Sequence, residues 1–227
     1  KLNRNVALEF LLFNKPYQVL CQFTDKKNNA ANTGEDVNNS SPKRDTLSQF
    51  IDRPNFYPAG RLDFLSEGLL ILTDSGELQA RITEPAQKME KSYWVQVEGA
   101  PSEEALIQLR KGVILKDGLT LPARAEMIEE PHSLWARQPP VIDHRQQNSQ
   151  WINISIKQGK NRQIRRMMAS VGHPVLRLVR HQIGPWKLDD LHSGECKMVE
   201  VNLPATAKKP NTGRNRRPAK SKKNARL

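Results

Sequence analysis

The chain has 227 residues, of which 37% are hydrophobic, and its 36 basic residues outnumber 24 acidic ones for a formal net charge of +12. A chain of that length buries enough surface to fold without disulfide or metal staples, and its two cysteines, Cys21 and Cys196, lack paired spacing and read as reduced thiols. No apolar run approaches the roughly 20 residues of a membrane span, no signal sequence opens the chain, and the five histidines form no pair at ligand spacing, which argues against membrane, secreted and metal-dependent classes.

Residues 8–13 and 17–23 read as two short apolar strands around the Lys15-Pro16 kink. Residues 25–44, rich in Asn, Lys, Asp and Ser, form a flexible surface insertion by composition, and Asp45 is placed to cap a short helix through Ile51. A buried strand is expected at 69–73, a short helix at 77–83 ended by Pro85, and a strand at 93–97. Ser102 with Glu103 and Glu104 opens a helix that turns Leu106 and Leu109 inward and closes at Gly112. Residues 119–128 read as extended, and 130–150 as a long loop with Trp135, Arg137 and three prolines. From 151 to 157 the alternation puts Ile152, Ile154 and Ile156 on one face, as in a half-buried strand. A helix follows Asn161, and strands at 175–183 and 195–201 complete an α+β chain with a largely antiparallel sheet and a central cleft.

The positive charge is concentrated. Residues 207–227 hold nine Lys and Arg and no acid; removing those nine from the 36 leaves 27 against 24 acids, so the body is nearly balanced. A segment of that composition cannot form a core, reads as disordered, and suits a polyanionic partner.

Two segments carry chemistry. Gly60-Arg61-Leu62-Asp63 leads through Phe64-Leu65-Ser66-Glu67-Gly68 into an apolar strand, which ties a carboxylate and a guanidinium to the core while leaving them on a loop. On its own the motif reads more readily as an Arg-Asp surface turn. The second is Gln158-Gly159-Lys160-Asn161-Arg162-Gln163-Ile164-Arg165-Arg166-Met167-Met168, with Lys91-Ser92-Tyr93 on the strand between the two.

The order Asn14-Lys15-Pro16, then GRLD with a trailing SEGLL, then Lys-x-Tyr, then GKNRQIRRM resembles the RsuA-like pseudouridine synthases over about residues 8–201, and most of all the branch that modifies large-subunit (23S) rRNA. The resemblance implies an isomerase that detaches a uridine base from its sugar, turns it and rejoins it through carbon. Atoms are conserved in that reaction, so it implies no cofactor and no metal. It implies Asp63 as the catalytic carboxylate, either as nucleophile at C1′ or as base on the sugar. Arg165 falls at the border of the apolar face formed by Ile164, Met167 and Met168, which makes it the candidate ion-pair partner of Asp63. Tyr93 would stack on an extruded pyrimidine with its hydroxyl near C5. Arg61 would fill the space of the flipped base or hold its phosphate, and Lys15, Lys160, Arg162 and Arg166 would make phosphate contacts.

The resemblance further implies a catalytic domain over 1–206 followed by the basic tail, in a cytoplasmic monomer without a protein partner. Many relatives carry a small N-terminal S4 RNA-binding domain, whereas here Lys15-Pro16 comes almost at once, so the chain either lacks that module or was cut. Two other readings use the same residues: a non-catalytic rRNA-binding or ribosome-assembly protein, and a glycosylase that releases a free base. The first would lack Asp63 or Arg165, and the second would use the same flipped base and carboxylate; a glycoside hydrolase would call for two carboxylates, for which Glu67 is the nearby candidate although it reads as turn chemistry.

Overall fold

The computed structural model describes residues 6–25, 43–83, 89–142 and 146–203; the expected insertion and the basic tail fall almost wholly outside them. The strands are β1 (Val6–Lys15), β2 (Val19–Leu20), β3 (Asp45–Thr46), β4 (Tyr57–Pro58), β5 (Glu67–Thr73), β6 (Lys91–Glu98), β7 (Ile114–Leu115), β8 (Gly118–Leu119), β9 (Arg124–Ile128), β10 (Ser149–Ile156), β11 (Val175–Ile183), β12 (Trp186–Lys187) and β13 (Cys196–Leu203). The helices are α1 (Gly76–Thr83), α2 (Glu103–Lys111) and α3 (Gln163–Ser170). This is the expected α+β class.

The main sheet runs β13-β1-β5-β11-β6-β10-β9, with β4 added to β5 and β12 to β11. Every pairing in it is antiparallel except β5 with β11, which run parallel through only two residue pairs, Glu67 with Val179 and Gly68 with Arg180. The central cleft therefore overlies a short parallel seam in a continuous sheet. Gly68 is required at that seam: its φ is +101°, and a Cβ there would lie 2.3 Å from the Arg180 carbonyl oxygen.

Strand alternation sorts the core. Leu11 and Phe13 of β1 and Leu70 and Leu72 of β5 pack with Leu47 and Leu62. On the same face of the other half, Tyr93, Val95 and Val97 of β6, Ile152, Ile154 and Ile156 of β10 and Leu178 of β11 are covered by Leu106 and Leu109 of α2 and by Ile164, Met167 and Met168 of α3. The opposite face gathers Phe10, Leu12, Leu69, Ile71 and Val179 under Leu78 and Ile82 of α1. Cross-strand partners share a face. One transverse row, Lys15–Gly68–Arg180–Tyr93–Ile154, thus crosses the sheet between the first two cores.

Local chemistry explains the element ends. Ser102 caps α2 by accepting from Ala105 N at 3.3 Å, and Gly112 closes it. The expected Asp45 cap is corrected: Asp45 pairs with Val19, and Thr46 opens a 3₁₀ turn, its N–H donating to Gln49 Oε1 at 2.7 Å. The strand expected at 17–23 shrinks to Val19–Leu20, because Gln18 turns back with φ +58° and donates its N–H to Phe64 O. The stretch 119–128 breaks where β8 ends, and β9 starts at Arg124. At the base of the insertion, Arg44 donates twice to the Asp25 carboxylate, at 2.6 and 3.0 Å.

Candidate active site

The residues lining the main cleft, of about 1060 Å³, come from the GRLD loop, β6, β11 and the segment 156–164. The GRLD loop is held from several sides. Ala59 N donates to Ile71 O at 2.7 Å, Ser66 N to Asp63 O at 3.0 Å, and the buried Leu62 pegs the loop to the core. Two arginines then hold carbonyls two residues to either side of Asp63. Arg180 Nη1 donates to Arg61 O at 3.4 Å and Arg165 Nη2 to Leu65 O at 2.6 Å. Asp63 itself is half-buried in the cleft wall, and among the described residues its carboxylate makes no hydrogen bond or ion pair.

Arg165 therefore differs from the expected ion-pair partner. Its fork rests on the backbone of the Asp63 loop and on Val175 O, with Nε buried and unpaired. Burial, then the neighbouring Arg162, lowers its pKa, and the charge of Asp63 acts in the opposite direction.

Tyr93 is 8% exposed and lines the cleft from β6, where a flat ring can meet a flat base. Arg61 and Arg162 stand exposed on the cleft, their guanidiniums unpaired among the described residues. Arg162 precedes α3 in a left-handed conformation, φ +48°, an uncommon state for an L-residue that recurs at functional sites. Buried Gln163 stiffens this segment by accepting from Lys160 N and donating to Gln158.

Lys160 lies on the rim but is drawn to Asp117, donating to its carbonyl at 3.1 Å. Arg166 makes a two-pronged bond to the Asp117 carboxylate at 2.6 and 3.2 Å, which holds the β7–β8 hairpin against α3 and lowers the Asp117 pKa. Lys15 is corrected as a phosphate contact. It is 0% exposed, donates to Pro16 O and Val19 O at 2.8 and 2.9 Å, and burial pushes its pKa down to about 8. It braces the chain beneath the cleft and cannot reach a phosphate. The readable signal was parity, since Lys15 falls on the same strand face as the inward Leu11 and Phe13 on β1.

Glu67 is no second catalytic carboxylate. It is 1% exposed, takes two bonds from Arg177 at 2.8 and 2.9 Å and a third from Trp135 Nε1 at 2.9 Å. Of two further cleft cations, sequence reasoning gave Lys91 no role beyond its motif and passed over Arg180. Lys91 donates to Met89 O, and its pKa is lowered by burial and then by Arg180; Arg180 itself lines the cleft with one unused donor. Among the described residues no cluster of His, Cys, Asp or Glu could hold a metal ion, and no helix is long and apolar enough to cross a membrane.

Positions 9–170 match a family described as RNA pseudouridylate synthase. A Vibrio vulnificus protein named ribosomal large subunit pseudouridine synthase E is 50% identical over 197 residues, 87% of this chain and 76% of that protein. A protein of the same name from Xanthomonas axonopodis pv. citri is 49% identical over 181 residues, 80% and 88% of the two chains. A solved pseudouridylate synthase superposes with a TM-score of 0.65 at 26% identity, covering 86% of this chain and 71% of its own.

Proposed function

The chain belongs to the RNA pseudouridylate synthase family, and on that premise we propose that it isomerises a uridine of 23S rRNA to pseudouridine in the Asp63 cleft. The observation that carries this reading is the convergence of Asp63, Tyr93 and Arg180 on one cleft with exposed cations on its surface, the loop that carries Asp63 being braced by Arg165 and Arg180. Its volume of about 1060 Å³ takes a flipped nucleotide with part of its backbone.

In this reading the flipped uridine stacks on Tyr93, and Arg61 and Arg162 hold the flanking phosphates. Asp63 attacks C1′ or removes a proton from the sugar, and the N1–C1′ bond breaks. The base turns, and C5 bonds to C1′ as the Asp63–C1′ bond breaks or, on the other route, as Asp63 returns its proton to the sugar; C5 then gives up its proton near the Tyr93 hydroxyl while N1 takes one up. No atom enters or leaves between substrate and product, so the chemistry calls for exclusion of water. The enzyme acts in the cytoplasm as a monomer, and its basic tail adds long-range attraction to RNA.

The test is to incubate the protein with unmodified 23S rRNA and map pseudouridine by chemical stop. One new site made by the wild type and absent with Asp63→Asn is expected. Bound RNA with no new pseudouridine would leave a non-catalytic rRNA-binding protein.

A further inference from the structure

Arg180 is 3% exposed and forms part of the cleft wall. Its Nε donates to Leu69 O at 2.7 Å, the next strand carbonyl after the two-residue pairing with β11 ends, and its Nη1 donates to Arg61 O at 3.4 Å. Its Nη2 is buried with no acceptor among the described residues, and no carboxylate there pairs with the side chain. A buried guanidinium with neither counter-charge nor full complement of acceptors is costly, and such a group in a native site calls for an explanation. Arg180 also lies directly opposite Tyr93 in the β6–β11 register. Directly opposed side chains share a face with their Cβ atoms about 5 Å apart. The unused donor therefore belongs to a side chain that shares the cleft face with the Tyr93 ring.

We propose that Arg180 is a further catalytic residue, whose Nη2 donates to a carbonyl oxygen of the uracil as it leaves the sugar. The proposal rests on the pseudouridine-forming reading above. When N1–C1′ breaks, the bonding pair leaves with the base by either route. If Asp63 attacks, C1′ becomes bonded to its oxygen; if Asp63 takes a sugar proton, the sugar becomes unsaturated. In both cases uracil is an anion, its charge shared between N1 and the carbonyl oxygens, until C5 closes on C1′ and releases its proton. A fixed charged donor in a water-poor wall stabilises such charge without reorganising. The braces to Leu69 O and Arg61 O keep it in place while the base turns.

Leaving-group strength tests this. Two RNA fragments carrying the mapped site are prepared, one with uridine and one with 5-fluorouridine, whose base leaves as a weaker base and requires less stabilisation. Single-turnover loss of the target nucleoside is followed at saturating enzyme for wild type, Arg180→Lys and Arg180→Met, with thermal melting of each. Arg180→Met should slow the uridine reaction about 10²–10³-fold, as removal of one such donor does elsewhere, and the fluorinated reaction about tenfold less. Arg180→Lys, which keeps the charge but not the fork, should fall between and carries the comparison if the Met variant melts early. Equal losses on both RNAs would overturn the proposal and leave Arg180 a brace for the Asp63 loop. A wild type that converts neither RNA would overturn the family-based function as well, a result distinct from equal losses.

Discussion

Arg177 and Arg180 lie three residues apart on β11, at 6% and 3% exposure, and their surroundings are opposites. Arg177 faces Glu67, giving two bonds to its carboxylate and one to Trp135 O. Its charge is matched and its donors are engaged, which fixes the 130–142 loop against the sheet. Arg180 holds only backbone carbonyls and keeps a buried nitrogen with no acceptor among the described residues. A structural ion pair neutralises itself, whereas a site cation is left for the reaction.

The sharpest break in that contrast comes from the reacting side. Asp63→Asn should reduce single-turnover conversion by roughly 10³-fold or more, at least about 4 kcal/mol of transition-state stabilisation. Because the carboxylate has no partner among the described residues, melting should stay within a degree or two of wild type. Activity within tenfold of wild type would remove Asp63 from the reaction.

Arg177→Met reverses the pattern. It strands the buried Glu67 carboxylate, and denaturant unfolding should register a loss of about 3–5 kcal/mol, while the folded fraction still turns over at nearly the wild-type rate. A stable but inactive variant would show that the two arginines had been assigned to the wrong roles.

Arg165→Lys stands between the extremes. A point charge can keep Leu65 O but not the two-carbonyl grip, so the rate should drop about tenfold or more with about 1 kcal/mol lost in stability. Full activity would mean that the fork is dispensable.

The smallest effect concerns His181, the residue after Arg180 at the bulge in β11. It stacks on Trp94 at 4.6 Å and meets Asn153 Oδ1 at 3.0 Å, and burial, then Lys187, pushes its pKa down to about 4. The unfolded chain takes up that proton at about 6.5, so the contribution is complete above pH 6.5 and lost as pH falls toward 4. Between pH 7 and 5 the wild type should lose about 1–2 kcal/mol more than His181→Phe in paired melts. Parallel pH profiles would place the histidine in water.

Much of this was legible in the sequence because local rules governed it. The limits of β11 and the Ser102 and Gly112 boundaries of α2 follow from alternation and capping. The GRLD loop and the 158–168 segment were readable as motifs, and the fold brings them to one cleft. The roles of Arg177, Arg180 and Glu67 were not readable. In Val175–Ile183 both arginines look like the polar members of a strand, and the partner of Arg177 is 110 residues away. The burial of Lys15 was hidden for a related reason, since a lysine or arginine in a motif looks the same whether it faces solvent, a carboxylate or two carbonyls.

The parallel seam also sets an order in time. Glu67 and Gly68 leave the ribosome more than a hundred residues before their partners on β11, and β1 waits longer still for β13. Closing a loop of that span costs roughly 4 kcal/mol in chain entropy before any contact across it forms. Topologies dominated by such distant pairings assemble slowly. The nascent chain therefore carries Asp63 through most of its synthesis without the Arg180 brace or the Tyr93–Arg180 floor, and the cleft comes into being only when β11 docks. Competence for chemistry is gained in one late step, and an incomplete chain holds the carboxylate without the means to use it.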